Sequence, residues 1–352
     1  MQSQTTAPRP EQPAATPRSV PVRELDLSDD DLLRQWYDIT KSAETFERPW
    51  ATFWSLEELS VQARTPDETL RWILTGAFED EQMVGTGLLQ LPLLDNTDKV
   101  YGGIWVDPAR RRRGIGSALV ENSVELMRTE GRTLLLVESG IPGEEREDHP
   151  YARFAFDHGF TMANVEVHRV LDLPLDTAQI RAMQAEAAPH HEGYEIRTFE
   201  DEIPEELLPS YVHLLNQLAL DAPTGDIDFE EEAFTPEHFR EKLARTLEQG
   251  RHRLSTVAIA PSGEAVAHSD LVVPREDRPK VYQWGTLVRR DHRGHHLGAA
   301  VKLQNLLALQ ERFPERTEIH TTNAETNEAM IGINERLGFR AVEICPEFML
   351  EI

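Results

Sequence analysis

The chain carries one segment twice, and any fold must accommodate both copies. Residues 99–127, KVYGGIWVDPARRRRGIGSALVENSVELM, read as a strand, a basic glycine loop and an amphipathic helix. Residues 280–309, KVYQWGTLVRRDHRGHHLGAAVKLQNLLAL, repeat that order, with Gly298 in the place of Gly116. A short apolar strand follows each copy: TLLLVES at 133–139 and EIHTTNA at 318–324. Each is followed by a helix ending in Gly-Phe, at Gly159-Phe160 and Gly338-Phe339. Upstream, VPVREL from Val20 and YEIRTF from Tyr194 alternate as first strands do.

This duplication divides the 352 residues into two domains, over 20–174 and 193–352. Residues 175–192 form a linker, and the Gln-, Thr-, Ala- and Pro-rich residues 1–19 a disordered tail. Each half reads as strand, helices, three strands, helix, strand, helix, strand, strand. Tight turns at 79–82 and 261–264 make the early strands antiparallel. The later strand-helix-strand unit needs a crossover and is parallel. The predicted fold class is therefore α/β, a mixed sheet with helices on both faces in each half.

A net charge of −26 argues against nucleic acid and against anionic membrane surfaces, and is compatible with a cationic amine. The single Cys345 excludes a disulfide within the chain and fits a reducing cytoplasm. No run approaches the roughly 18 apolar residues of a membrane span. A soluble cytoplasmic monomer or homodimer is expected.

Arg111, Arg112, Arg113, Gly114, Ile115 and Gly116, then Ser117, lie between a strand and a helix. Backbone N–H groups at such a corner, with the helix dipole, bind phosphate or pyrophosphate, and arginines add charge-assisted bonds. The second copy is Arg293, Gly294, His295, His296, Leu297 and Gly298. Neither copy has the Gly-Lys-Ser/Thr of a nucleoside-triphosphate loop. Glu138 could be the acidic residue of a dinucleotide fold, but antiparallel strands before the loop do not suit one. His292, His295 and His296 lack a carboxylate or Cys partner at metal-ligand spacing, so no metal is expected.

In these loops both halves resemble the GCN5-related N-acetyltransferase (GNAT) superfamily, whose pattern is Arg/Gln-x-x-Gly-x-Gly/Ala after Val-x-Pro. The first half has Val106-Asp107-Pro108, then Arg111, Gly114 and Gly116. The second has Val288, Arg293, His296 and Gly298. The resemblance covers nearly the whole chain after the tail. It implies two tandem acyl-CoA-binding domains, acetyl-CoA as cofactor, and a small-molecule or peptide amine as acceptor. It also implies that pantetheine lies where the strands after Val106 and Val288 splay. Backbone N–H groups of Trp105 and Val106, or of Leu287 and Val288, would then hold the thioester, and Asn323 and Asn327 would face the pantetheine arm.

Direct transfer needs an oriented amine, a proton acceptor and a stabilised oxyanion. The family's strand carboxylate falls, by residue count, at Val100 and Tyr282, and its tyrosine acid at Ala155 and Asn334. Tyr282, Asp270 and Asn334 are therefore the catalytic candidates, with Glu138 a further possible base. These polar residues point to the second half as catalytic and the first as binding or scaffolding. The absent tyrosine acid leaves open a non-catalytic acyl-CoA sensor or scaffold. The acidic run Asp226 to Glu232 reads as a solvated face or an attractant for cations.

Overall fold

Hairpin turns fold the early strands of each half onto one another, and helices carry the chain between parallel neighbours. A computed structural model describes residues 20–143, 145–277 and 279–352; the expected tail over 1–19 lies outside the described residues. The first half runs β1 (Val22–Glu24), α1 (Asp30–Glu44), α2 (Leu56–Arg64), β2 (Leu70–Glu79), β3 (Gln82–Pro92), β4 (Lys99–Val106), α3 (Ile115–Thr129), β5 (Leu134–Glu138), α4 (Pro150–Asp157) and β6 (Thr161–Asp172). Helix α5 (Thr177–Ala187) occupies the expected linker. The second half repeats the order: β7 (Glu195–Glu200), α6 (Leu208–Asp221), α7 (Pro236–Glu248), β8 (Arg251–Ile259), β9 (Ala265–Pro274), β10 (Lys280–Val288), α8 (Leu297–Arg312), β11 (Glu318–Ala324), α9 (Glu328–Leu337) and β12 (Arg340–Glu351).

Local signals set the helix starts. Asp29 accepts the N–H groups of Asp31 and Leu32 ahead of α1, and Ser55 with Glu58 forms a capping box on α2. Thr235 with His238 does the same for α7.

All twelve strands form one sheet, in the order β1-β2-β3-β4-β5-β12-β6-β11-β10-β9-β8-β7. The two final strands expected in each half are corrected here: each half ends in one long strand, lodged in the other half. Strand β12 pairs with β5, setting Glu347 opposite Glu138, and β6 pairs with β11, setting Val170 opposite His320. The physical reason is edge satisfaction. The fifth strand of each half presents an open edge, and the exchanged strand supplies its missing hydrogen bonds.

Helices α1, α2, α6 and α7 pack on one face of the sheet, around Leu74 and Leu88 in the first half and Val257 and Leu287 in the second. Helices α3, α4, α5, α8 and α9 cover the other face. The halves also clasp through buried ion pairs, Arg48 with Glu343 at 2.6 Å and Arg251 with Glu58 at 2.7 Å. In the acidic run Asp226, Asp228, Glu230 and Glu231 are exposed, as a solvated face would be, but the run is also anchored. Its Ile227 is buried, and Glu230 exchanges hydrogen bonds with Asn96 of the first half, backbone N–H to side chain in both directions. Cys345 is buried and free. No helix among the described residues is long and apolar enough to cross a membrane.

Candidate acyl-transfer site

Both basic loops adopt one backbone path. In the first, Arg112 and Gly114 are left-handed, with φ of 65° and 83°. In the second, Gly294 and His296 take those places, at 86° and 53°. The glycine has moved two positions, and His296 carries the left-handed turn that leads into α8, at a cost of about 1 kcal/mol. Among the described residues, no protein acceptor takes the N–H groups of Arg112 to Ser117 or of Gly294 to Gly298. A side-chain methyl at Gly114 would meet nothing within 4 Å, so the corner is open. Ile115 is buried and anchors the turn, and Ser117 bonds His158 at 2.9 Å.

The loops differ in what surrounds them. Arg112 and Arg113 are exposed and form no ion pair among the described residues, while Arg111 donates to the Tyr151 hydroxyl at 3.0 Å. In the second loop Arg293 and Arg290 both hold Asp221 at the end of α6, Arg293 at 2.7 Å. His190 stacks on His296 with ring centroids 3.9 Å apart, and its carbonyl meets His295 at 3.1 Å.

Beyond each corner the parallel strands splay. Strands β4 and β5 pair only from Lys99 to Gly102, and β10 and β11 only from Lys280 to Tyr282. Trp105, Val106, Leu287 and Val288 all lie past the split, on β4 and β10. A bulge in β10 between Gln283 and Gly285 adds one residue. The residue count from Val288 is therefore corrected: Tyr282 is the counterpart of Tyr101, not of Val100. The repeated Lys-Val-Tyr was the sequence signal for this.

At the split itself the halves diverge. The first has Gly102 and Gly103, and the Trp105 ring folds so close over Gly103 that a methyl there would lie 2.5 Å from it. The second has Gln283, which donates to the carbonyls of Asp270 at 2.7 Å and Gly285 at 2.9 Å. Lys302 on α8, four residues after Gly298, reaches Gln283 Oε1 at 3.4 Å. In the first half that helix position is Val120, four residues after Gly116. Lys302 is 3% exposed with no acidic partner among the described residues, and desolvation lowers its pKa to about 7.

The first split opens into a cleft of about 620 Å³ on the α1–α2 face. Trp36, Trp54, Trp72, Trp105 and Trp284 line it, together with Tyr101 and Tyr282. Cross-strand register maps its floor. One row runs Trp72, Gln90, Tyr101, Leu136, and the row containing Glu138, Glu347 and Asn164 lies two residues, about 7 Å, further along. Glu138 lines the cleft and is exposed to solvent there. Desolvation, then the charges of Glu347, Glu166 and Glu44, push its pKa up to about 8. Glu347 accepts from Asn164 at 2.7 Å and is raised by burial, and Glu166 is raised to about 7. Sequence reading had no means of finding Glu347, because it reaches the first half's cleft from the last strand of the second.

The second half's polar candidates sit elsewhere. Asp270 is 1% exposed and bonded by Tyr211 at 2.7 Å, His268 at 2.8 Å and Arg253 at 2.9 Å. Burial alone would raise its pKa, but Arg253 and His268 outweigh burial and hold the carboxyl far below its ordinary range. As a base at neutral pH it is therefore corrected to a structural charge. Asn334 is fully buried, and its amide donates to Asn323 at 3.2 Å, which corrects its candidacy as a donor to the sulfur. Asn323 also accepts from Arg169 of β6 at 3.0 Å, and Asn327 caps α9 by accepting the Met330 N–H. Tyr282 stands in the cleft wall and donates to Asp277 at 3.3 Å. Glu200, Asp201 and His252 come together as metal ligands could, but Arg312 holds both Glu200 oxygens, at 3.0 and 2.9 Å.

The profile of the acetyltransferase (GNAT) family matches residues 33–156. No curated protein sequence matches the chain. Among solved structures, a tandem GNAT protein from the clavulanic acid biosynthesis pathway, solved without AcCoA, is 26% identical with a TM-score of 0.76, over 94% of this chain and 98% of that one. A GCN5-related N-acetyltransferase from Sphaerobacter thermophilus is 16% identical, TM-score 0.63, over 95% and 96%. Saccharomyces cerevisiae N-myristoyltransferase, with bound myristoyl-CoA and inhibitors, is 11% identical, TM-score 0.58, over 99% and 86%. The last two are likenesses of fold.

Proposed function

We propose that the chain is a tandem acyl-CoA N-acyltransferase of the GCN5-related N-acetyltransferase superfamily, as the profile match over residues 33–156 and the likeness to a tandem GNAT structure support, and that its first half transfers an acetyl group from acetyl-CoA to an amine. The carrying observation is continuity. Unbonded loop amides at Arg112 to Ser117 lead to a glycine-lined split, and the split leads to Glu138 in an open cleft.

These residues fit the cofactor. The loop amides with Arg112 and Arg113 would hold its phosphates, and β4 at Trp105 and Val106 would align the acyl group. Acetyl-CoA supplies an acyl carbon activated as a thioester. The Trp105 ring over Gly103 leaves room for a short acyl chain in preference to a long one. Glu138 takes the proton of the acceptor's ammonium, freeing the nitrogen lone pair. The carbon–nitrogen bond then forms as the carbon–sulfur bond breaks, and the second amine proton balances the departing thiolate.

The second half reads as a scaffold. Its loop (Arg293, Gly294, His295, His296, Leu297, Gly298) keeps the backbone path, but Gln283 and Lys302 stand at its split. That observation favours the non-catalytic reading for this half alone. Thiol release from acetyl-CoA over a broad amine panel is the test. Acetyl-CoA binding with no turnover of any amine would leave only a sensor.

A further inference from the structure

Resting on that reading, we infer that the acceptor is a primary amine carried on an aromatic or otherwise flat apolar body, not a polyamine or an aminosugar. Five of the chain's six tryptophans line this one cleft. They stand in two aromatic pairs and one single ring. Trp36 meets Trp105 edge-on at 6.0 Å, Trp54 lies at 5.7 Å from Trp72, and Trp284, on β10, is 40% exposed. Trp36 belongs to the core, with Trp72 and Trp105 packed on it, and the Arg251 guanidinium covers Trp54 at 4.4 Å, whereas the exposed Trp284 ring is left for a ligand to cover. Aromatic faces bind apolar rings and cations attached to them.

Most of the charge in the cleft lining is already paired. Of its ionisable lining groups, Glu44 is held by Arg48 and by the Trp105 indole N–H at 2.7 Å, and Arg251 is held by Glu58. That leaves Glu138 and Glu347, directly opposite each other on β5 and β12, without a basic partner among the described residues. One ammonium satisfies that pair. A polyamine's further ammonium groups would find no further free carboxylate in the lining, and its thin chain would leave most of the tryptophan surface uncovered. A polyhydroxylated sugar would leave hydroxyls unpaired against the same walls. A volume of about 620 Å³ accommodates an aromatic amine of small-molecule size.

The experiment uses the full chain with acetyl-CoA and four acceptors: tryptamine, phenethylamine, spermidine and glucosamine. Thiol release gives kcat/KM, and quenching of tryptophan fluorescence by phenethylamine gives binding without turnover. The expected result is at least tenfold higher kcat/KM for tryptamine and phenethylamine than for the other two. Trp284→Ala, at a wall position that carries little packing, should raise KM for tryptamine several-fold and leave KM for acetyl-CoA unchanged. Turnover led by spermidine or glucosamine overturns the inference while the acetyltransferase reading stands. No turnover of any amine, with phenethylamine still quenching fluorescence, fails that reading and keeps the cleft's ligand class. Absence of both quenching and turnover overturns both.

Discussion

Glu347, five residues before the C-terminus, stands directly opposite Glu138 at the end of the first half's fifth strand. A carboxylate from the last strand of one half thus faces the candidate base of the other. Desolvation and then the neighbouring Glu347 charge raise the pKa of Glu138, while burial raises that of Glu347. A base poised near neutral pH is the chemical outcome.

Replacing that base tests its role. Glu138→Gln should lower kcat about 100-fold or more and leave the affinity for acetyl-CoA unchanged. The wild-type rate should climb with pH toward about 8, as the carboxyl ionises, and the variant should lose that limb. Steady-state kinetics from pH 6 to 9.5 with an acceptor of low amine pKa checks this. An unchanged profile in the variant removes Glu138 from the reaction.

The exchange of β6 and β12 makes the halves interdependent. The full chain should unfold in one calorimetric transition. A fragment ending at residue 175 leaves the β5 edge bare and should show no cooperative melt. Cooperative melting of that fragment would contradict the dependence.

Arg48 grips Glu343 with two hydrogen bonds, 2.6 and 2.9 Å, both side chains being nearly buried. Arg48→Met should cost about 3–5 kcal/mol at pH 7, measured by urea denaturation. Burial works to raise Glu343, but Arg48 and His168 bring it down to about 2 from an ordinary 4.5. A lowered carboxylate stabilises above its unfolded value. The difference between variant and wild type should therefore shrink as pH falls from 4.5 toward 2. The double variant Arg48→Met/Glu343→Leu should recover much of the loss.

Lys302→Met should stabilise the protein by roughly 2–4 kcal/mol at pH 7. The native pKa of about 7 lies below the ordinary 10.5, so the unfolded chain binds more protons between those values. The cost of burying Lys302 is complete below pH 7 and fades as pH rises toward 10.5, and the variant's advantage should fade with it. Thermal melts at pH 6.5 and 9.5 compare the two.

The repeat, the order of elements through the sixth strand and both glycine loops were legible in the sequence, because each rests on local chemistry: turns, caps and periodicity. Even His296, which breaks the glycine pattern, keeps the loop's path because Gly294 takes the other left-handed position. The strand exchange was not legible, since β5 pairs equally well with any strand of suitable length. Tyr101 was hidden by one bulged residue, and Glu347 by its distance along the chain. Asp270 and Asn334 misled because a polar residue on a strand or helix carries the same letter whether it faces a cleft or a buried partner.

The most direct test is thiol release from acetyl-CoA in two loop variants of the full chain, Arg111→Ala/Gly116→Val and Arg293→Ala/Gly298→Val. Loss of turnover in the first variant, with the second retaining it, is the expected result. Turnover surviving in the first and lost in the second would move the reaction to the other half and contradict the assignment of the open cleft.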